Sequence, residues 1–120
     1  MIGPIAAVTI ATRDVDAHAA LYARWLGYDT VERREVSPAE AAAWGAPAAA
    51  GRACALLAPA GDVGRGLVRF VETRLPAGYR PFRHLGWNAA EHVVQDCDGL
   101  AERLAASPFE IVGPPADLSF

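Results

Sequence analysis

The chain has 120 residues, 52% of them hydrophobic and 21% charged, a balance that suits one ordinary domain with a packed core and excludes a disordered chain. Its formal net charge is −3, and its 11 basic residues, all arginine, are scattered along the sequence, so the clustered positive field that nucleic acid requires is missing. No apolar run approaches the roughly 20 residues of a membrane helix, and Cys54 and Cys97 have no zinc-type or CxxC spacing, so the expectation is a cytoplasmic protein with both thiols reduced and buried. The arginine-only, alanine-rich composition reads most simply as the bias of a GC-rich bacterial coding sequence.

Residues 5–12 (IAAVTIAT) are apolar and β-branched at Ile5, Val8, Thr9, Ile10 and Thr12, the composition of a buried strand. A helix should follow, its first amides capped by Asp14 or Asp16, with Val15, Ala19, Tyr22, Trp25 and Leu26 on one stripe and Gly27 as the left-handed residue that ends it. Residues 28–36 (YDTVERREV) alternate apolar and polar side chains for much of their length and predict a strand with one wet face. Ser37-Pro38-Ala39-Glu40 has the pattern of a capping box with proline at the first helical position, opening a short helix that ends near Trp44. Residues 52–58 and 67–73 read as strands joined in a hairpin by the Gly-rich stretch 59–66. Pro76, Gly78, Pro81 and Gly86 mark residues 74–87 as a connection, after which residues 88–95 predict a strand, 98–106 a helix and 109–112 a further strand.

Comparison of the two halves reveals an internal repeat. Residues 8–16 superpose on residues 90–98, matching Asp14-Val15-Asp16 with Asp96-Cys97-Asp98, and Tyr28-Asp29-Thr30-Val31 matches Phe109-Glu110-Ile111-Val112. Strand, helix cap and second strand recur in the same order, which points to a duplicated module.

Residues 8–36, VTIATRDVDAHAALYARWLGYDTVERREV, carry the Asp-aliphatic-Asp helix start, the late tyrosine and the Leu-Gly-Tyr sequence before the second strand. In this the chain resembles the vicinal oxygen chelate superfamily of glyoxalases, bleomycin-resistance proteins and extradiol dioxygenases. The resemblance implies an α+β fold of βαβββ modules: a first module over 1–73, the connection over 74–87, and over 88–120 the start of a second module, incomplete as it stands. A short second module would leave sheet edges and an apolar face to be covered, by a homodimer partner or by further chain.

The enzymes of this superfamily hold a divalent metal between a histidine at the start of the first strand of each module and a carboxylate at the end of the fourth. Counting back seven residues from Asp14 and from Asp96, the histidine positions fall on Ala7 and Ala89, which cannot bind a metal. Glu72 is the only position matching a family ligand, and it reads equally as an exposed carboxylate at a strand end. Among the histidines, His92 should face the helix, His84 lies in the connection, and His18 sits in the first helix as a structural or surface residue.

Strand alternation suggests a cup of small and apolar residues, Ala7, Thr9, Ala11, Val68, Phe70, Trp87, Ala89 and Val93, with Glu72 and Glu91 as its polar points. The candidate ligand-binding residues are therefore Thr9, Phe70, Glu72, Trp87 and Glu91, unless these side chains simply pack together as core. Glu91 and Glu72 could also support metal-free proton transfer, although pairing with a neighbouring arginine is the simpler role for Glu91. The expected function is capture of a small aromatic or apolar molecule in a dimer or inter-module cleft, without cofactor. The alternative is the N-terminal domain of a longer lyase, isomerase or ring-cleaving dioxygenase dependent on Fe, Mn, Ni or Zn.

Overall fold

The structure is a computed structural model that describes residues 5–80 and 82–117. Pro81, part of the expected connection, and residues 118–120, at the end of the expected second module, lie outside the described residues. Two compact units are present, Met1–Ala90 and Glu91–Phe120.

The first unit begins with strand β1 (Ala7–Thr12) and helix α1 (Val15–Leu26). Of the two aspartates that could cap this helix, Asp14 does so: its backbone is extended and its carboxylate accepts the Ala17 N–H at 2.9 Å. The helix ends as its sequence requires, with Gly27 at φ 69° donating its N–H to the Tyr22 carbonyl. Strand β2 (Tyr28–Glu35) leads into helix α2 (Pro38–Ala43), whose capping box is closed in both directions between Ser37 and Glu40. After a single 3₁₀ turn at Pro47–Ala49, strands β3 (Ala53–Pro59) and β4 (Leu67–Glu72) form the expected hairpin.

The four strands make one mixed sheet in the order β1-β4-β3-β2. β1 runs parallel to β4, with Ala7 opposite Leu67 and Thr12 opposite Glu72, and the other two pairs are antiparallel. A register shift between Thr30 and Glu32 puts a bulge in edge strand β2, leaving Val31 exposed. The chain is thus α+β, and its first unit places strand, helix and three further strands in that order, with α2 and the 3₁₀ turn inserted between the second and third strands.

Alternation divides the sheet into two faces. On one, α1 packs Val15 and Ala19 against Ala55, Leu57, Val68 and Phe70, with Ile10, Tyr22 and Leu26 at the margin. Tyr22 meets both Phe70 and Tyr28 edge-to-face, with ring centroids 4.9 and 5.5 Å apart. Burial among these rings pushes the Tyr22 hydroxyl above its usual pKa. On the other face a smaller cluster of Val36, Ala41, Cys54 and Val71 brings α2 and the 3₁₀ turn over one end of the sheet. Arg34 holds α2 there through a two-pronged bond to Glu40, each N···O distance 2.6 Å.

The second unit contains helix α3 (Cys97–Ala105), capped by Asp96 with its carboxylate accepting the Gly99 N–H at 2.9 Å. The strands expected over 88–95 and 109–112 are not formed. Their composition favours extended backbone, but a strand exists only when a neighbour accepts its ladder hydrogen bonds, and no described segment pairs with either. Cys54 is buried as expected, whereas Cys97, at the first position of a helix that buries no residue, is exposed. Among the described residues no helix is long and apolar enough to cross a membrane.

Candidate functional site

On the face of the sheet opposite α1, a cavity of about 390 Å³ opens between the ends of β1 and β4 and the segment running from α2 through the 3₁₀ turn. Its floor is Thr9, Ala11 and Val71, its end is Glu72 and Thr73, and its side wall is Trp44 with Ala46, Ala48 and Ala49. That volume lies near the lower end of the range for small-molecule sites, and the lining matches them in kind, apolar with a few polar atoms. Alanines create the space. Trp44 supplies a flat aromatic wall because Gly45, at φ 67°, turns the chain immediately after α2.

Of the five residues singled out from sequence, the cavity brings together Thr9 and Glu72. Phe70 is corrected: only 1% exposed, it lies in the core beneath α1. Val68, expected beside it in the cup, is buried in the same core. The parity assigned to β4 was reversed, because Thr9 pairs with Arg69 and Ala11 with Val71, so positions 67, 69 and 71 share the open face with Ala7, Thr9 and Ala11. Trp87 is 99% exposed and Ala89 is also exposed, and neither lines the cavity. Glu91 is an exposed residue of the second unit. Residues 91–94 form no strand, so the alternation that assigned faces to Glu91, His92 and Val93 does not apply.

The same register tests the metal site. Ala7 and Thr12 are five positions apart, as are their partners Leu67 and Glu72, so strand alternation turns Glu72 away from the face of the histidine position, although as the last residue of β4 it still borders the end of the cavity. A metal needs its donors converging on one point. Ala7 offers no donor, and Glu72 does not converge with that position, so these residues do not fit the metal centre of the superfamily. Among the described residues no group of three or more His, Cys, Asp or Glu is arranged to hold an ion.

Arg69 is the polar residue that sequence reasoning passed over. It projects from the middle of β4 on the open face, its guanidinium stacked over the Trp44 ring at 5.1 Å and its Nη1 donating a long 3.4 Å bond to the Thr9 hydroxyl. Its Nε is buried with no hydrogen-bond partner among the described residues. Leaving a buried donor unsatisfied costs about 1–3 kcal/mol. One signal was available: a single arginine interrupting LVRFVE marks its own side of the strand as the wetter one. The alanine wall at 46–49 carried no comparable signal.

The other arginines of the sheet are spoken for. Arg34 bonds Glu40 and lies 3.0 Å from Glu32, and Arg33 grips Asp16 with contacts of 2.8 and 3.0 Å. These bonds hold the carboxyls of Asp16 and Glu40 below their ordinary pKa values. His18 is structural, as expected: its Nδ1 lies 2.8 Å from the Thr12 hydroxyl and 2.9 Å from the Asp14 carbonyl, with the ring against Phe70. His84 stacks on Tyr79 in the connecting segment. Burial raises the pKa of the Cys54 thiol, which keeps it in the unreactive protonated form. Comparison of the chain with protein-family models and with curated proteins gives no match to either.

Proposed function

We propose that the protein is a small-molecule-binding member of the vicinal oxygen chelate superfamily, resembling its bleomycin-resistance branch, and that it works without the metal of its catalytic relatives. The observation that carries this reading is the cavity on the open face of the sheet, lined by Thr9, Ala11, Trp44 and Val71. The order β1, α1, β2, β3, β4 in residues 7–72, with α2 and the 3₁₀ turn inserted between β2 and β3, supports the module assignment, as do the Asp14 cap and the Gly27 helix end. Alanine at position 7 and the opposed face of Glu72 favour capture over metal chemistry. A homodimer is part of the proposal: β1 and β2 are sheet edges, and the fully exposed Trp87 is a large apolar side chain of the kind that marks contact surfaces.

A thermal-shift screen with small aromatic and aliphatic compounds tests this reading. A ligand bound only by the folded state should raise Tm in proportion to its occupancy, and filling the floor with Ala11→Phe should abolish the shift. If no compound in the panel moves Tm, or if Ala11→Phe leaves the shifts unchanged, the reading fails. The second reading, a portion of a metal-dependent lyase, isomerase or dioxygenase, draws support from the matched Asp14 and Asp96 caps. Stoichiometric bound metal that Glu72→Ala removes would favour it.

A further inference from the structure

We propose that the cavity is specific for small planar organic anions, with the ligand's carboxylate taken by Arg69 and its aromatic body lying in the alanine-walled space beside Trp44. The proposal deepens the small-molecule reading and rests on it. Three observations converge on this chemistry. First, Arg69 makes no ion pair among the described residues, while Arg33 and Arg34 on the same sheet each have a carboxylate partner. Second, its two neighbours on the open face, Thr9 and Trp44, are themselves cavity-lining residues, so the positive charge sits beside the space. Third, the guanidinium is positioned but not satisfied: the Trp44 ring fixes its plane, Nε has no acceptor, and the bond to Thr9 is long.

A guanidinium presents parallel N–H groups that match the two oxygens of a carboxylate, which a lysine ammonium cannot reproduce. A small rotation that keeps the guanidinium stacked on Trp44 and gives up the 3.4 Å bond to Thr9 would bring the buried Nε and an Nη to one carboxylate and supply the missing acceptor. The Thr9 hydroxyl is then free to donate to a carboxylate oxygen. Ala11, Ala48, Ala49 and Val71 offer apolar surface to the ligand's body, and Glu72 with Thr73 lines the end of the cavity, three residues along β4 from Arg69, where a carboxylate would be repelled and so is directed to the arginine. The site should therefore prefer an aromatic acid to its neutral amide, and a flat ring to a bulky saturated one.

Isothermal titration calorimetry with 1-naphthoate and 1-naphthamide tests the proposal, on wild type and on Arg69→Met and Trp44→Leu, each checked by circular dichroism to be folded. The expected result is at least tenfold tighter binding of 1-naphthoate than of 1-naphthamide by wild type. That preference should vanish in Arg69→Met, and Trp44→Leu should weaken both probes. Equal affinity for acid and amide, or a preference that survives Arg69→Met, overturns the anion specificity while leaving a small-molecule cavity in place. Absence of binding by both probes overturns the specificity for this ligand class, and the broader reading then stands or falls on the Tm screen. Arg69→Lys, which keeps the charge and loses the fork, should retain only part of the preference, and full retention would argue against two-pronged recognition.

Discussion

Helices α1 and α3 begin with nearly the same structure and end in different circumstances. Asp14 and Asp96 adopt φ/ψ of −141°/102° and −136°/96°, and each accepts the backbone N–H three residues on at 2.9 Å. Yet α1 buries Val15 and Ala19 against a four-stranded sheet, while α3 buries no residue. The segments that flank α1 are strands, and those that flank α3 are not. A cap is a contract among four consecutive residues and forms wherever its sequence occurs. A strand depends on a neighbour that may lie far away in sequence, so a repeated sequence does not guarantee a repeated sheet.

The largest test of this contrast lies in the core beneath α1. Phe70→Ala should lose about 3–5 kcal/mol in urea denaturation, the usual cost of emptying a buried aromatic site. Leu104→Ala, in α3, should leave the midpoint of that transition nearly unchanged. If both substitutions shift it comparably, α3 folds as part of the main cooperative unit and the contrast is broken.

A smaller effect separates the two caps. Asp14→Ala should cost about 1 kcal/mol of global stability. The corresponding Asp96→Ala should chiefly raise amide exchange at residues 97–105, read by hydrogen-exchange mass spectrometry. Global destabilisation by both would show that α3 is energetically coupled to the sheet.

The pH dependence belongs to the first unit. Asp16 and Glu40 have folded pKa values below their ordinary 3.8 and 4.5, chiefly through the bonds to Arg33 and Arg34. Their contribution is therefore complete above those ordinary values and lost as pH falls through the lowered folded ones. The denaturation midpoint should decline on acidification below about pH 4.5, and Glu40→Gln with Asp16→Asn should flatten that decline. Because the Arg33–Asp16 pair is exposed and the Arg34–Glu40 pair only partly buried, the change should be modest and should shrink in high salt. Smallest of all, Trp87→Ala should alter monomer stability by no more than about 0.5 kcal/mol. Its effect, if the proposed dimer uses this residue, should appear in sedimentation as weaker self-association.

By itself the sequence determined whatever is settled within a few residues. The Asp14 and Asp96 caps, the Ser37–Glu40 box, the left-handed Gly27, the β3–β4 hairpin and the absence of histidine at position 7 were all legible. Thr9 and Glu72 were placed near the cavity, but Phe70 and Val68 were given the wrong face of β4. Which face of LVRFVE meets α1 is fixed by the parallel register of β4 with β1, a pairing across some 60 positions that neither segment encodes alone. The failure of residues 88–95 to become a strand has the same origin, since strand-forming side chains do not supply a ladder partner. Tertiary structure alone set Arg69 over Trp44 and left its Nε without an acceptor, because that arrangement joins β4 to the end of α2, two elements that meet only once the sheet has formed.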